Sequence, residues 1–325
     1  MGGDDAPRAV LTGALRATAP GRPDRIDPGD ILLVGDQAVI EGELEAQGGN
    51  PGFGIRHASQ VIGMDEKPAV ALRQKPDSSI GSCIAAVREG EAGAVVAMGN
   101  TGACVGAATL GLGTLEGVRR PGIAVSLGLF GKPLTILDMG ANVSPKPEHL
   151  VQYAWMGDAY ARACLATPEP RIGLMNIGEE ASKGTEVLRS AHELLGASSL
   201  RFVGNVEPSE MLQGAADIIV ADGFTGNIAL KLMEAMAGFL FGRFRAELER
   251  HAAGFTEAAL GSLAKQIDYA EYGGALLLGV RGAVVIGHGR SDEVAVANAL
   301  GVARRTLASG VNTQIVAGLA GGNGA

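Results

Sequence analysis

Short apolar runs of four to six residues recur along this chain, and each ends in a polar or glycine-containing turn. They read as strands at "ILLV" (31–34), "FGIRH" (53–57), "AVVAM" (94–98), "IAVSL" (123–127) and "LTILD" (134–138). Others follow at "IGLMN" (172–176), "RFVG" (201–204), "DIIVA" (217–221) and "AVVIG" (283–287). Runs rich in Val, Ile and Leu with little alternation suit strands buried on both faces. Helical patterns stand between them, and strands alternating with helices predict an α/β fold, a three-layer α/β/α sandwich on a mostly parallel sheet. The 325 residues suit one large or two modest domains, at about 100–200 residues each. No long linker and no repeat of fixed period divides them, so residues 1–325 are read as a single α/β/α domain. The 50 glycines gather after the apolar runs, where tight strand-to-helix turns need them.

Two helical features stand out. In "ANVSPKPEHLVQYAWMGDAYARA", Ser144 is placed to cap a helix, with Pro145 or Pro147 in its first turn and Glu148 adding a favourable charge. Further on, Met233, Met236, Leu240, Phe244 and Leu248 recur every three or four residues. Phe255, Ala259, Leu263 and Ile267 then recur every four. Two amphipathic helices joined near "HAAG" are expected within 229–267. Such a stripe forms core or a dimer interface, or touches a membrane surface if its apolar face is exposed.

A net charge of −8 argues against a duplex nucleic acid partner, which needs a dense basic face. Cys83, Cys104 and Cys164 show no paired spacing and read as buried thiols of a reducing cytosol. No signal-peptide pattern opens the sequence, and no uninterrupted apolar run reaches the length of about 18 residues expected of a bilayer span. GxxxxGK[ST], a completed GxGxxG, GxSxG and HExxH are all missing from the sequence. No nucleotide or dinucleotide cofactor, serine nucleophile or metal is therefore expected.

The polar residues at the strand ends are more telling. Asp36, His57, Asn100, Asp138, Asn142, Asn176, Glu179, Lys183, Asn205, Glu207, Asp222, Asn227 and His288 each end or follow a proposed strand. In a parallel sheet such positions share one rim, and open α/β sheets bind ligands there. Asn, Asp and Gly are also turn formers, but Lys183, His57 and His288 are not. His192 and His251 stand in helix-like, charged surroundings and read as surface residues. In "NIGEEASKGTE" (176–186), Gly178 and Gly184 allow close backbone approach to a ligand. A following helix start offers free N–H groups, and Lys183 adds a full charge. Together they could hold a phosphate. The alternative is a surface ion pair between Lys183 and Glu179 or Glu180.

Several longer stretches resemble one family. "MGGDDAP", "HASQVIGMDEKPAVALRQKPDSS", "GNTGA", "LDMGANVSPKPEHLVQYAWMG", "IGLMNIGEEASKGTE", "GNVEP", "DGFTGNIALK" and "DYAEYGGALLLG" are similar, in this order, to the bacterial phosphate acyltransferases of phospholipid synthesis, the PlsX family. The resemblance runs from Met1 to about Ala308. It implies a Rossmann-like α/β/α enzyme, a cytoplasmic homodimer that associates peripherally with the inner face of the cell membrane. The implied reaction moves a long-chain acyl group from acyl carrier protein to inorganic phosphate, and the acyl phosphate feeds a glycerol-3-phosphate acyltransferase. Alternatives are a phosphotransacetylase-like enzyme using acyl-CoA, or an inactive membrane-associated scaffold.

With phosphate itself as nucleophile, the resemblance implies Lys183 as charge partner to the phosphate or oxyanion, and Asn227 as a neutral donor to the same intermediate. His57, Asn100, Asn142, Asn176 and Gly178 would line the pocket. Lys67 and Arg73 would meet phosphate or the acidic carrier protein, unless they are merely solvated helix charges. The helical pair at 229–267, with Leu240, Phe244, Leu248, Phe255 and Leu263, would form the dimer and membrane contact. Arg243, Arg245 and Arg250 would stand near anionic lipid. Three departures are expected to matter. The family carries a short apolar strand before "MGGD", on which this chain opens; Met98 replaces a small residue; and Arg290 replaces a serine.

Overall fold

The computed structural model describes residues 1–22, 24–129, 132–251 and 273–322. In chain order these form α1 (Arg8–Thr18), β1 (Leu32–Gly35), α2 (Gln37–Ala46), β2 (Gly54–His57), α3 (Pro68–Gln74), α4 (Ser79–Arg88) and β3 (Ala94–Met98). There follow α5 (Thr101–Gly111), β4 (Gly122–Leu129), β5 (Lys132–Leu137), α6 (Pro147–Cys164), β6 (Ile172–Met175), α7 (Glu186–Gly196) and β7 (Phe202–Val206). The rest are α8 (Pro208–Leu212), β8 (Ile218–Val220), α9 (Gly223–His251), β9 (Ala275–Leu278), β10 (Ala283–Gly287), α10 (Glu293–Ser309) and α11 (Val311–Gly321). Contacts group the chain into two compact units, Met1–Pro121 with Tyr272–Ala317, and Gly122–Glu271 with Gly318–Ala325.

In the first unit β1 and β2 pair in parallel, from Leu32 opposite Gly54 to Gly35 opposite His57. β3 and β10 also run parallel, and β9 lies antiparallel to β10. Polar residues at strand ends start the next helices here. Asp36 Oδ1 accepts from the Val39 N–H at 3.0 Å to cap α2, and Asn100 Oδ1 accepts from the Ala103 N–H at 3.0 Å to cap α5. Leu11, Ala14, Ile26, Leu33, Ile40, Leu44 and Phe53 form a buried cluster around α1, β1 and α2. The thiol of Cys104 is buried, which pushes its pKa up to about 12, so it behaves as an apolar group.

In the second unit β4 and β5 are antiparallel, and β5, β8, β6 and β7 follow as parallel neighbours. β6 and β8 are buried along their whole length, as apolar runs without alternation require. Packed on β8 and β5, α6 buries Leu150, Tyr153, Ala154 and Met156.

All nine strands read from the sequence are present. β9 is an additional strand; each unit holds an antiparallel pair, β9–β10 in the first and β4–β5 in the second, beside its parallel ones, in keeping with the mostly parallel pairing expected. α6 begins later than Ser144 suggested. Lys146 is its extended cap residue, Pro147 takes the first helical position with Glu148 beside it, and His149 Nδ1 accepts from the Lys146 N–H at 3.1 Å. Pro147 explains this, because it disfavours helical geometry in the preceding residue while its own fixed φ suits a helix start.

α9 is one long helix on which Leu240 and Phe244 are exposed, together with Phe224, Ile228, Leu232 and Phe239. The side chains of Leu248 and Arg250, and the whole of the expected second helix with Phe255 and Leu263, lie outside the described residues. Among the described residues no helix is long and apolar enough to cross a membrane. Met98, expected to reshape a pocket, is instead buried, its sulfur lying over Gly287.

The contact of α1 with α10 depends on Gly13. A Cβ there would stand 2.4 Å from Val296 Cβ and 2.9 Å from the Glu293 carbonyl oxygen. Gly13→Ala is expected to destabilise the chain by about 1–3 kcal/mol, measured as a lower urea midpoint at unchanged slope.

Candidate active site

Because β5, β8, β6 and β7 are parallel neighbours, the segments after them leave from one edge of the second unit. In spatial order that edge carries Asp138 to Asn142, then Asp222 to Asn227, then Asn176 to Lys183, then Glu207. The structure thus brings Asn142, Asn176, Gly178, Lys183 and Asn227 to one rim. His57, Lys67, Arg73 and Asn100 belong to the first unit.

Asp138 organises the segment after β5. Its side chain is fully buried. Oδ1 accepts from the N–H groups of Ile123 (2.9 Å), Gly140 (3.1 Å) and Ala141 (3.0 Å), and Oδ2 accepts from the Asn142 N–H at 2.7 Å. Burial pushes the carboxyl up from its ordinary pKa, while the N–H groups of Ala141, Ile123 and Asn142 pull the other way. With donors on both oxygens, the form that fits is the carboxylate.

Two buried asparagines pin the segment carrying Lys183. Asn176 donates through Nδ2 to the Lys183 carbonyl at 3.2 Å and accepts from the Ile177 N–H at 2.9 Å. Asn205 donates to the Glu180 carbonyl at 2.9 Å, and its Oδ1 meets His192 Nδ1 at 3.2 Å. Between them, the Lys183 N–H donates to Glu180 O at 3.0 Å. Gly184 has φ +83°, and a Cβ there would stand 2.6 Å from Asn176 Oδ1, so only glycine suits the position. Gly178 lies beneath the Lys183 stem, a Cβ on it falling 3.0 Å from Lys183 Cγ. Thr185 Oγ1 then caps α7.

The Lys183 side chain is 48 % exposed, and its Nζ stands 4.0 Å from Glu180 Oε1. So loose a pair between exposed groups contributes little to stability. Glu179 is engaged elsewhere: Glu210, above all, and then Glu207 and Glu180 hold its carboxyl above the ordinary range. Asn227, half-buried in the first turns of α9, places its side-chain amide against Gly140, and that amide makes no hydrogen bond among the described residues.

In the first unit, Asn100 is buried and its amide is used within the protein. Nδ2 donates to the carbonyls of Gly63 (3.1 Å), Met64 (3.2 Å) and Glu66 (3.0 Å). It thereby holds the segment that leads to Lys67, the residue capping α3. Lys67 and Arg73 are both exposed. His57 is exposed, and its Nδ1 accepts from the Gln37 N–H at 3.2 Å, which leaves the proton of the neutral ring on Nε2. His192, read from the sequence as a surface residue, is half-buried. It stacks edge-on against Phe202 with ring centroids 5.2 Å apart while bonding Asn205.

Residues 1–314 match the family described as "Fatty acid synthesis protein". A phosphate acyltransferase of Moorella thermoacetica is 44% identical over 320 residues, 97% of this chain and 93% of the relative. The chain belongs to the phosphate acyltransferase family. A relative of the same name from Geobacillus thermodenitrificans is 42% identical over 325 residues, covering 98% of this chain and 97% of its own. Among solved structures, a phosphotransacetylase from Staphylococcus aureus shares the fold with a TM-score of 0.52 at 12% identity, covering 92% of this chain and 98% of its own. A 4-hydroxythreonine-4-phosphate dehydrogenase from Klebsiella pneumoniae does so with a TM-score of 0.53 at 13% identity, covering 92% and 95%. This chain is therefore an acyltransferase that uses phosphate, on a mixed α/β fold with a mostly parallel sheet.

Family membership identifies the reaction class, but the supporting residues come from the geometry. Reading strand ends marked Asp138 and Asn205 only as rim residues. The five donors around Asp138, counting the Asn142 amide at 3.4 Å, come from residues up to 15 positions away. The bond from Asn205 spans 25 positions. No spacing rule within a short motif reports either.

Asn205→Ala removes the pin on Glu180 and the partner of His192. It is expected to cost about 1–3 kcal/mol of stability. In hydrogen exchange, the Lys183 amide is expected to lose protection more than the amides of β6 do.

Proposed function

We propose that this phosphate acyltransferase takes a long-chain acyl group from the thioester of acyl carrier protein and gives it to inorganic phosphate. A phosphate oxygen attacks the thioester carbon, forming a C–O bond and a tetrahedral oxyanion. The oxyanion collapses, the C–S bond breaks, and the carrier thiolate leaves and takes up a proton. The products are an acyl phosphate and free carrier thiol. Phosphate is the nucleophile, so the step needs no serine or cysteine.

The observation that carries this reading is the shared rim of β6 and β8, adjacent parallel strands whose following segments bear Lys183 and Asn227. Lys183 supplies a full positive charge on an asparagine-pinned turn. Asn227 supplies an amide with no protein partner among the described residues. A charge for the phosphate and a neutral donor for the oxyanion are what acyl transfer to a dianion requires. Positioning contributes roughly 7–11 kcal/mol in favourable cases, and an oxyanion donor about 3–4 kcal/mol. Asn142, Asn176 and Gly178 shape the surroundings.

Lys67 and Arg73, exposed on the first unit, are proposed to meet the acidic carrier protein. The exposed apolar residues of α9, among them Leu240 and Phe244, support coverage by a second copy of the chain and contact with an anionic membrane surface. Such a protein would work in the cytoplasm at the inner face of the membrane and hand its acyl phosphate to a glycerol-3-phosphate acyltransferase.

Phosphate-dependent release of carrier thiol from long-chain acyl carrier protein tests the reading. Lys183→Ala and Asn227→Ala are each expected to lower kcat by about 10²–10³-fold while keeping the wild-type melting profile. Full turnover by both variants would remove the mechanism. Faster use of acetyl-CoA than of the long-chain carrier substrate would replace the proposed donor.

A further inference from the structure

The geometry assigns Asp138 as a positioning residue for Asn227, acting through the bare Cα of Gly140. This inference rests on the proposed role of Asn227 as a donor to the tetrahedral intermediate and goes on to say what aims it.

Three sets of contacts link the two residues. First, Asp138 fixes the course of the chain after β5, since its Oδ1 holds the N–H groups of Gly140 and Ala141 and its Oδ2 holds that of Asn142. The Ile123 N–H at 2.9 Å ties the same carboxylate to β4, so the segment is anchored to the sheet. Second, this segment holds the start of α9. The Gly223 N–H donates to the Asn142 carbonyl at 2.9 Å. A Cβ on Gly223 would stand 2.8 Å from Asp138 Oδ2, and one on Gly226 would stand 2.1 Å from the Asp138 carbonyl oxygen. The first turn of α9 therefore packs against Asp138 at a distance that only glycine permits.

Third, Asn227 follows Gly226 directly, and its amide rests on Gly140. Gly140 has φ +129°, and a Cβ there would fall 3.1 Å from Asn227 Nδ2 and 3.6 Å from its Cγ. The amide has no hydrogen bond among the described residues; what the structure shows setting its direction is packing on Gly140, and no described residue takes up its donor hydrogens. Asp138 itself is an unsuitable acid or base. It is fully buried, and both of its oxygens already accept from N–H groups.

The test is a pair of double-mutant cycles on the full chain, read by phosphate-dependent thiol release from long-chain acyl carrier protein. Gly140→Ala puts a methyl group against the Asn227 amide. Asp138→Asn puts a donor where an N–H already points. Each is expected to lower kcat by about 10–100-fold with KM for phosphate changed less than about twofold, as fits misalignment of a group that acts in the transition state. In an Asn227→Ala background, either change should cost less than about a further twofold. Losses that multiply in full, or that appear only in KM, would overturn the positioning role while leaving Asn227 as a donor. Full turnover by Asn227→Ala alone would overturn both. Hydrogen exchange on the wild-type chain stands independently of whether the variants fold. The amides of Gly140, Ala141 and Asn142 should be strongly protected, and exchange at the rate of an open loop would sink the inference.

Discussion

A carboxylate with no access to water sits at the base of the rim, and the turn after β5 and the start of α9 take their geometry from it. Removing Asp138 from solvent is costly, and the cost is offset only because backbone N–H groups from β4 and from its own turn converge on both oxygens. Such an arrangement tolerates little slack, since a shift of one donor leaves a buried charge short of a partner. That stiffness is useful where a loop must present a helix start at a fixed angle. The glycines at 223 and 226 carry the constraint onward by letting α9 approach without an intervening side chain.

The second constraint is topological. Four parallel strands in the order β5, β8, β6, β7 send their connections out on the same side, so residues far apart in sequence become neighbours without any dedicated contact. The segment bearing Lys183 is then trimmed by Asn176 and Asn205, which replace the backbone partners that an irregular loop lacks. Asn100 does the same in the first unit for the chain leading to α3. Asparagine suits this task because one side chain offers both a donor and an acceptor.

Much of this was legible in the sequence, because parallel strands buried on both faces leave unalternated runs such as "IGLM" and "DIIVA" that are hard to read otherwise. The short run "ALLL" of β9 gives little strand signal, enclosed as it is between glycines, and nothing in composition distinguishes an antiparallel partner from a parallel one. At the site, residue types identified the rim, but not which of them are free. Asn100, Asn176 and Asn227 look alike in a list of strand-end amides. Only the folded structure separates the two whose amides donate to carbonyl groups from the one whose amide lies on Gly140 with no hydrogen bond among the described residues. The half-burial of His192 is hidden for a related reason: its charged neighbours in sequence say nothing of Phe202 and Asn205, which contact it in space.

The openness of Lys183 has a consequence for selectivity. An ammonium that keeps about half its surface in water has its field damped within roughly 8 Å at physiological ionic strength. It attracts nearby anions indiscriminately and reaches few of them. Telling one oxyanion from another then falls to the uncharged, rigidly mounted partners around it, whose directional bonds salt does not weaken.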